Sequence, residues 1–102
     1  MHDYKNVSVY YNSKKILGVP CGFKLRNSEH IVAELGEYFE IDLNVNDDDL
    51  EQFLCNAFDA CFSKIRKESD PTALQKYSGK KSYAAAAKGM QRTYITWNKK
   101  YG

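Results

Sequence analysis

A run of apolar residues with the spacing of an α-helix constrains the fold more than any other feature of this sequence. Counted from the first of them, they fall at offsets 0, 3, 4, 7, 8, 11, 12 and 15, which is one face of a helix with 3.6 residues per turn. They are Leu50, Phe53, Leu54, Ala57, Phe58, Cys61, Phe62 and Ile65. An acidic first turn, capped by Asn46 or Asp47, suits the positive end of a helix dipole. The pattern predicts a helix over 48–66 whose whole stripe, Phe58 included, lies in the core.

Alternation of apolar and polar residues predicts strands elsewhere. Residues 5–11 alternate so that Val7, Val9 and Tyr11 lie on one face, and residues 39–45 and 91–98 alternate in the same way. Glycines and Pro20 interrupt residues 14–25. We therefore expect any strand in that segment to be short and bent, with Pro20 at a sheet edge.

Two shorter helices complete the predicted architecture. Ser28 is a candidate N-cap for a helix over 29–37, because apolar residues follow it at spacings of three and four. An alanine-rich segment predicts a helix over 80–88, ended by Gly89. With 102 residues there is room for one hydrophobic core. We therefore predict a single small α+β domain over 1–102, in which a few-stranded antiparallel sheet packs against helices around 29–37, 48–66 and 80–88.

The cysteines and the hydropathy pattern bear on the compartment. Cys21, Cys55 and Cys61 are an odd number without a paired framework, so we expect buried free thiols in a reducing environment. The first residues hold no apolar run long enough for a signal peptide, and no segment approaches the length of a membrane span. We expect a cytoplasmic protein that does not associate with membranes.

Residue patterns typical of catalysis or of cofactor binding are weak in this chain. Neither His2 nor His30 has a nearby Ser or Cys that would form a nucleophile pair with it. Cys55 and Cys61 lie six residues apart on the predicted helix and would point in different directions, which disfavours a metal site. The run 47–49 lacks the glycine and the terminal glutamate of a calcium loop. We expect no catalytic residues, no metal and no cofactor, and a protein that binds a macromolecule rather than an enzyme.

Charge is strongly segregated along the chain. Residues 27–63 hold ten acidic and no basic residues, while the rest holds fifteen basic and three acidic residues. The two parts could neutralise one another across the fold, and an acidic helix start needs no partner. Alternatively, a coherent acidic face would attract a basic protein and repel nucleic acid. On charge alone, the expected partner-binding residues are Glu37, Glu40, Asp42, Asp47, Asp48, Asp49, Glu51 and Asp59.

The basic C-terminal third offers a rival hypothesis. Its lysines and Arg92 alternate with aromatic residues such as Tyr77, Tyr83, Tyr94 and Trp97. Such a pattern is able to follow a phosphate backbone and stack on bases, which would make the chain a small nucleic-acid-binding protein. A core role for the aromatic side chains is the simpler interpretation, because no known RNA-binding signature accompanies them. We therefore do not expect direct nucleic-acid binding. A third hypothesis is an accessory subunit of a larger assembly.

The stretch YSGKKSYAAAAKGMQRTYITW, residues 77–97, resembles the closing segment of immunity proteins from bacterial contact-dependent growth inhibition (CDI) systems. In that family a Lys-Ser-aromatic start leads into an Ala/Lys helix, a Lys-Gly-Met turn and an aromatic strand. The resemblance covers about a fifth of the chain and implies structural roles for Ser82, Tyr83, Gly89 and Trp97. It also implies a cytoplasmic toxin inhibitor that binds the C-terminal domain of a cognate toxin, commonly a nuclease and often one that cleaves tRNA. The toxin-binding surface varies within that family, so no binding residue follows from the resemblance.

Overall fold

The structure is a computed structural model that describes residues 4–26, 29–67 and 70–98. Three helices accompany a sheet whose strands pair antiparallel with one exception, which confirms the α+β class. Their order is β1 (Tyr4–Tyr11), β2 (Lys15–Arg26), β3 (Glu29–Glu34), β4 (Phe39–Asp42), α1 (Asp47–Asp59), β5 (Ile65–Lys67), α2 (Ala73–Ser78), α3 (Tyr83–Ala87) and β6 (Gln91–Asn98).

Strand β2 is the centre of the sheet. Its residues 16–20 pair antiparallel with β1, and β1 pairs in turn with β6. Along its other edge β2 pairs first with β4, through residues 15–18, and then with β3, through residues 21–26. Strand β5 runs parallel to residues 23–25 of β2, on the edge that β1 has left free. The sheet is thus curled and antiparallel except for this one short pairing.

Pro20 lies where β2 changes partner, between the last residue paired with β4 and the first paired with β3. Its carbonyl accepts a hydrogen bond from the backbone N–H of Leu35 at 2.8 Å. In an extended strand the nitrogen of a residue faces the same edge as its carbonyl. The N–H that Pro20 lacks would therefore face the point between the pairing of β2 with β4 and its pairing with β3. The predictions of a short strand and of an edge position for Pro20 were wrong, because Pro20 is buried within a strand of 12 residues.

The sheet separates two apolar clusters. On one face Val7 and Val9 pack with Ala57 and Cys61 beneath α1, and Tyr11 joins this cluster as predicted. The other face carries Tyr10, Leu17 and Val19, which pack against α2 and α3 through Ala73, Leu74 and Ala86. The protein therefore has three layers, with the sheet between α1 and the α2–α3 pair.

Helix α1 begins where predicted but ends earlier. Asn46 caps it, because its side chain accepts a hydrogen bond from the backbone N–H of Asp49 at 2.8 Å. The helix stops at Asp59, although the apolar spacing continues to Ile65. Phe62 adopts a positive φ of 60° and its N–H donates to the carbonyl of Cys21 at 3.1 Å. This bond to the edge of β2 turns the chain, and the residues after it form β5 instead of further helical turns.

The predicted helix over 29–37 was wrong, since residues 29–34 form strand β3. The open edge of β2 beyond Pro20 supplies hydrogen-bond partners that residue spacing cannot reveal. The predicted helix over 80–88 is shorter, α3 being five residues long. The predicted strand at 39–45 is β4, and the strand predicted at 91–98 is confirmed.

Phe53 anchors α1 to the sheet, and its ring lies against Gly18 of β2. A Cβ atom at position 18 would lie 3.0 Å from Cζ of Phe53, so a larger residue there would push the ring back by a few tenths of an ångström. Phe53 is buried, whereas Phe58 is half-buried. The expectation that the entire stripe is core therefore holds for Phe53 and Ala57 but not for Phe58.

We expect Phe53→Ala to lower the free energy of unfolding by about 3–5 kcal/mol, because it leaves a cavity between α1 and the sheet. Phe58→Ala, its matched control, removes the same atoms from a partly solvated position and is expected to cost about 1–1.5 kcal/mol. Urea denaturation followed by circular dichroism measures both values. Equal losses in the two variants would contradict the placement of α1.

Candidate functional site

The predicted partner-binding carboxylates divide into two groups, and the first group is paired within the protein. Nζ of Lys64 lies 2.6 Å from a carboxylate oxygen of Glu37. Nζ of Lys15 lies 2.6 Å from Asp42 and 3.7 Å from Glu40. The cations come from outside the acidic segment of the sequence, so here the two parts of the chain neutralise one another. Lys64 offsets the charge of Glu37, whereas Glu40 and Asp42 share the single positive charge of Lys15.

The second group lies on α1. Asp47, Asp48, Glu51 and Asp59 are exposed, and none of them forms an ion pair with another residue in the described part of the chain. Asp49 differs, because its carboxylate accepts a hydrogen bond from the side-chain amide of Asn46 at 3.1 Å and so belongs to the helix cap. The acidic surplus of the sequence is thus concentrated on one helix.

An open apolar groove of about 450 Å³ runs along α1 beside these carboxylates. Its lining residues are separated alternately by three positions and by one, which places them on one face of the helix. They are Asp47, Leu50, Glu51, Leu54, Cys55 and Phe58. A smaller hollow of about 230 Å³ continues the groove past Phe58, where Lys5 and Asp59 border it. We refer to the first of these surfaces as the α1 groove.

The α1 groove was not predicted from the sequence, because all the apolar residues of the helix were expected to lie in the core. In the structure the stripe splits, and only its Phe53 and Ala57 side is buried against the sheet. Leu50, Leu54 and Phe58 remain half-buried and Cys55 is exposed. The spacing carried no signal of the groove, because a stripe of this width is ordinary for a helix that packs on a core.

The three cysteines are free, but they are not all buried as expected. Cys21 and Cys61 are buried, whereas Cys55 is exposed in the α1 groove. Burial raises the pKa of the Cys21 thiol to about 11 and also raises the pKa of Cys61. A raised pKa lowers the thiolate fraction at neutral pH and with it the reactivity of the thiol.

A polar cluster on the opposite face joins β1, β3, α3 and β6. The hydroxyl of Tyr10 donates to a carboxylate oxygen of Glu34 at 2.6 Å and lies 2.8 Å from the hydroxyl of Tyr83. Nη2 of Arg92 donates to the same oxygen of Glu34 at 3.0 Å. Burial, together with the bond to Glu34, raises the pKa of Tyr10. We assign the cluster a structural role, because it fastens four elements together.

The aromatic residues proposed for nucleic-acid binding have partners inside the protein. Tyr83 bonds to Tyr10, and the ring of Tyr77 packs edge-on against Tyr38 with 5.6 Å between centroids. The guanidinium of Arg92 lies 4.4 Å from the centre of the Tyr94 ring. The side chain of Trp97 lies outside the described structure. This arrangement leaves fewer free aromatic faces for bases than the sequence suggested.

Two of the residues singled out for structural roles lie at the ends of α3, Ser82 as its N-cap and Gly89 in the turn after its C-cap Lys88. Ser82 caps α3 by accepting a hydrogen bond from the N–H of Ala85 at 3.2 Å. Gly89 follows the helix with a φ of 83°, a left-handed conformation that favours glycine. Together with the role of Tyr83 in the polar cluster, these contacts give local structural reasons for the distinctive sequence of residues 77–97.

In the part of the chain that the structure describes, no three His, Cys, Asp or Glu side chains lie close enough together to hold a metal ion. None of the helices within 4–26, 29–67 and 70–98 has the length and apolar character needed to cross a bilayer. Comparison of the chain with protein-family models, with curated proteins and with solved structures finds no match. The α1 groove and its carboxylates are therefore the features of the described structure that bear on function.

We expect one thiol to react rapidly with a disulfide reagent in the native protein and three to react after denaturation. The fast thiol is Cys55, because the other two are buried and have raised pKa values. Counting the thiols that react at pH 8 in native and denatured samples tests this. Cys55→Ser should abolish the fast phase, and a fast phase that persists would contradict the assignment.

Tyr10→Phe should lower the free energy of unfolding by about 1.5–3 kcal/mol, because it removes a hydrogen bond to a charged group. Tyr11→Phe is the matched control, since its hydroxyl bonds to Gln91 at an exposed position and should matter little. The raised pKa also means that the unfolded state releases the Tyr10 proton first, so the parent loses stability as pH rises above about 10. Denaturation between pH 8 and 11 should show less of this loss in Tyr10→Phe, and equal slopes would contradict the assignment.

Proposed function

We propose that this protein is a cytoplasmic immunity protein that binds a basic toxin domain, of the nuclease class, and neutralises it by occlusion. The observation that carries the proposal is the exposed surplus of carboxylates on α1, where Asp47 and Glu51 line an apolar groove without ion-pair partners in the described structure. The resemblance of residues 77–97 to CDI immunity proteins supports the same function from a different part of the chain.

The charge of α1 favours a cationic protein as the partner. Exposed carboxylates repel the phosphates of nucleic acids and of anionic membranes, and they accelerate the approach of a basic surface. A nuclease needs a positive channel for its substrate, and carboxylates held where phosphates would lie are able to fill that channel. Occlusion would then require neither a cofactor nor a catalytic group on this chain.

The attachment of α1 suits this role. Phe53 and Ala57 are buried against the sheet, and Asn46 caps the helix, so the carboxylates project from a rigid element. A surface that is already ordered before binding loses less conformational entropy in the complex. Burial and capping thus support a function in tight binding.

Nucleic-acid binding through the basic C-terminal third is the weaker alternative. Lys80, Lys81 and Lys88 are exposed, but Tyr83, which lies between them in the chain, is held by the hydrogen bond between its hydroxyl and that of Tyr10. Exposed lysines by themselves would give salt-sensitive binding without sequence preference. Retention of the protein on immobilised tRNA at physiological salt would favour this alternative over the proposed function.

The proposal predicts that a large secreted protein is encoded beside the gene for this chain, and the C-terminal domain of that protein provides the test. We expect that domain to be basic, to stop bacterial growth when expressed alone, and to form a stoichiometric complex with this protein that restores growth. Growth arrest that continues despite co-expression, with no complex on gel filtration, would refute the proposed function.

The contribution of α1 is tested by the double variant Glu51→Lys/Asp59→Lys. Neither position lies in the first helical turn, so the variant should keep the helix intact while slowing association with the toxin domain about tenfold or more at low ionic strength. Stopped-flow fluorescence measures the rate.

The matched control is Glu29→Lys/Glu37→Lys, which makes the same change in net charge away from α1. It disrupts an exposed ion pair with Lys64, at a cost of about 0–1 kcal/mol, and should leave the association rate within about threefold of the parent rate. If both double variants slow binding equally, net charge and not the α1 surface governs association.

A further inference from the structure

The α1 groove is lined by apolar side chains, and an acidic surface alone does not explain them. Leu50, Leu54 and Phe58 lie four residues apart, so their side chains form a ridge along the helix. From the first to the last of them the helix rises about 12 Å, at 1.5 Å per residue. The ridge matches the length of two to three turns of another helix.

The backbone around the groove restricts what is able to dock there. Among the residues that the structure describes, those that line it all belong to α1, whose interior N–H and C=O groups are already bonded within the helix. An extended segment placed on the ridge would find no backbone partners and would leave its own polar groups facing apolar side chains, which is costly. A helix satisfies its own backbone and avoids that cost.

The charges at the border restrict the occupant further. On a helix with 100° per residue, Asp48, Glu51 and Asp59 follow the groove on the side away from the buried Phe53 and Ala57. A second copy of this chain docked through the same groove would bring two acidic edges together, and nucleic acid would be repelled in the same way. Basic side chains on the occupant would complement this edge.

We propose that the α1 groove is the docking site for an amphipathic helix of the partner, with apolar residues on the ridge and Lys or Arg facing the acidic edge. This inference rests on the proposed function, since it names the segment of the basic partner that α1 recognises. Anchors at positions i, i+4 and i+7 or i+8 of the occupant would contact Leu50, Leu54 and Phe58. Affinity then depends on apolar and ionic contacts together, and neither alone is sufficient.

Three synthetic helical peptides of equal length test this chemistry without the toxin. The first has Leu at positions i, i+4 and i+8 with Lys along one flank, the second replaces Leu by Ser, and the third replaces Lys by Gln. We expect the first to bind at least about tenfold more tightly than either control. Equal binding of the first and second peptides would overturn the apolar part of the proposal, and equal binding of the first and third would overturn the ionic part.

The exposed thiol of Cys55 reports where the peptide binds, because it lies in the groove. The bound Leu/Lys peptide should slow the reaction of Cys55 with a disulfide reagent at least about tenfold when the site is saturated. Binding that leaves the reaction rate of Cys55 unchanged would place the peptide elsewhere and overturn the proposal.

Leu54→Gln, which keeps a helix-favouring residue, should weaken peptide binding about tenfold or more. The matched control is Val32→Gln on β3, since Val32 is 59% exposed and lies outside the groove. Cys55→Lys is a second groove variant at an exposed position, so that a folding defect in Leu54→Gln would not leave the question open. Unchanged affinity in both folded groove variants would overturn the proposal.

The same variants separate this inference from the proposed function. If the toxin domain is captured and neutralised equally well by Leu54→Gln, Cys55→Lys and the parent, the groove proposal fails and the immunity function stands. If the peptide binds the groove but the toxin domain is neither bound nor neutralised, the groove proposal stands and the immunity function fails.

Discussion

Hydrogen bonding along strand β2 is the constraint on which the rest of the structure depends. Strands β1, β3, β4 and β5 all pair with it, and β6 is attached through β1. A strand of 12 residues is long enough to change partners along its length, and Pro20 lies where one edge passes from β4 to β3. Each change of partner opens an edge that another segment must fill, which is why residues 29–34 and 65–67 are extended.

The same pairing determines which side of α1 packs against the sheet. The bond from the N–H of Phe62 to Cys21 ends the helix region and draws the following chain onto the sheet. Gly18 lets the ring of Phe53 approach β2 closely, so α1 rests on its Phe53 and Ala57 side. Leu50, Leu54 and Phe58 of the same stripe are only half-buried. The groove is therefore a consequence of how the helix is seated, and the carboxylates beside it share that orientation.

The folded chain divides the acidic residues into two sets. Glu34, Glu37, Glu40 and Asp42 are paired with Arg92, Lys64 and Lys15, which come from distant parts of the chain. The carboxylates of α1 have no such partners in the described structure. A surface that keeps its charge unpaired beside apolar side chains has the composition expected of a contact with a basic protein. The proposed immunity function and the proposed helical occupant both follow from this combination.

Local interactions were enough to predict part of this structure from the sequence. The start of α1 at its Asn46 cap, the cap at Ser82, and the strands β1 and β6 all depend on residues close together in the chain. The α+β class followed from these elements.

Tertiary structure decided the rest. The spacing of residues 29–37 fits a helix, yet β3 forms because β2 offers hydrogen bonds, and α1 stops at Asp59 for the same reason. Which carboxylates are neutralised depended on cations up to 58 residues away, as for Arg92 and Glu34. The sequence by itself determined where charged and apolar residues occur. Only the folded chain decided which of them are paired or buried, because hydrogen bonds and ion pairs between distant segments are not encoded in local spacing.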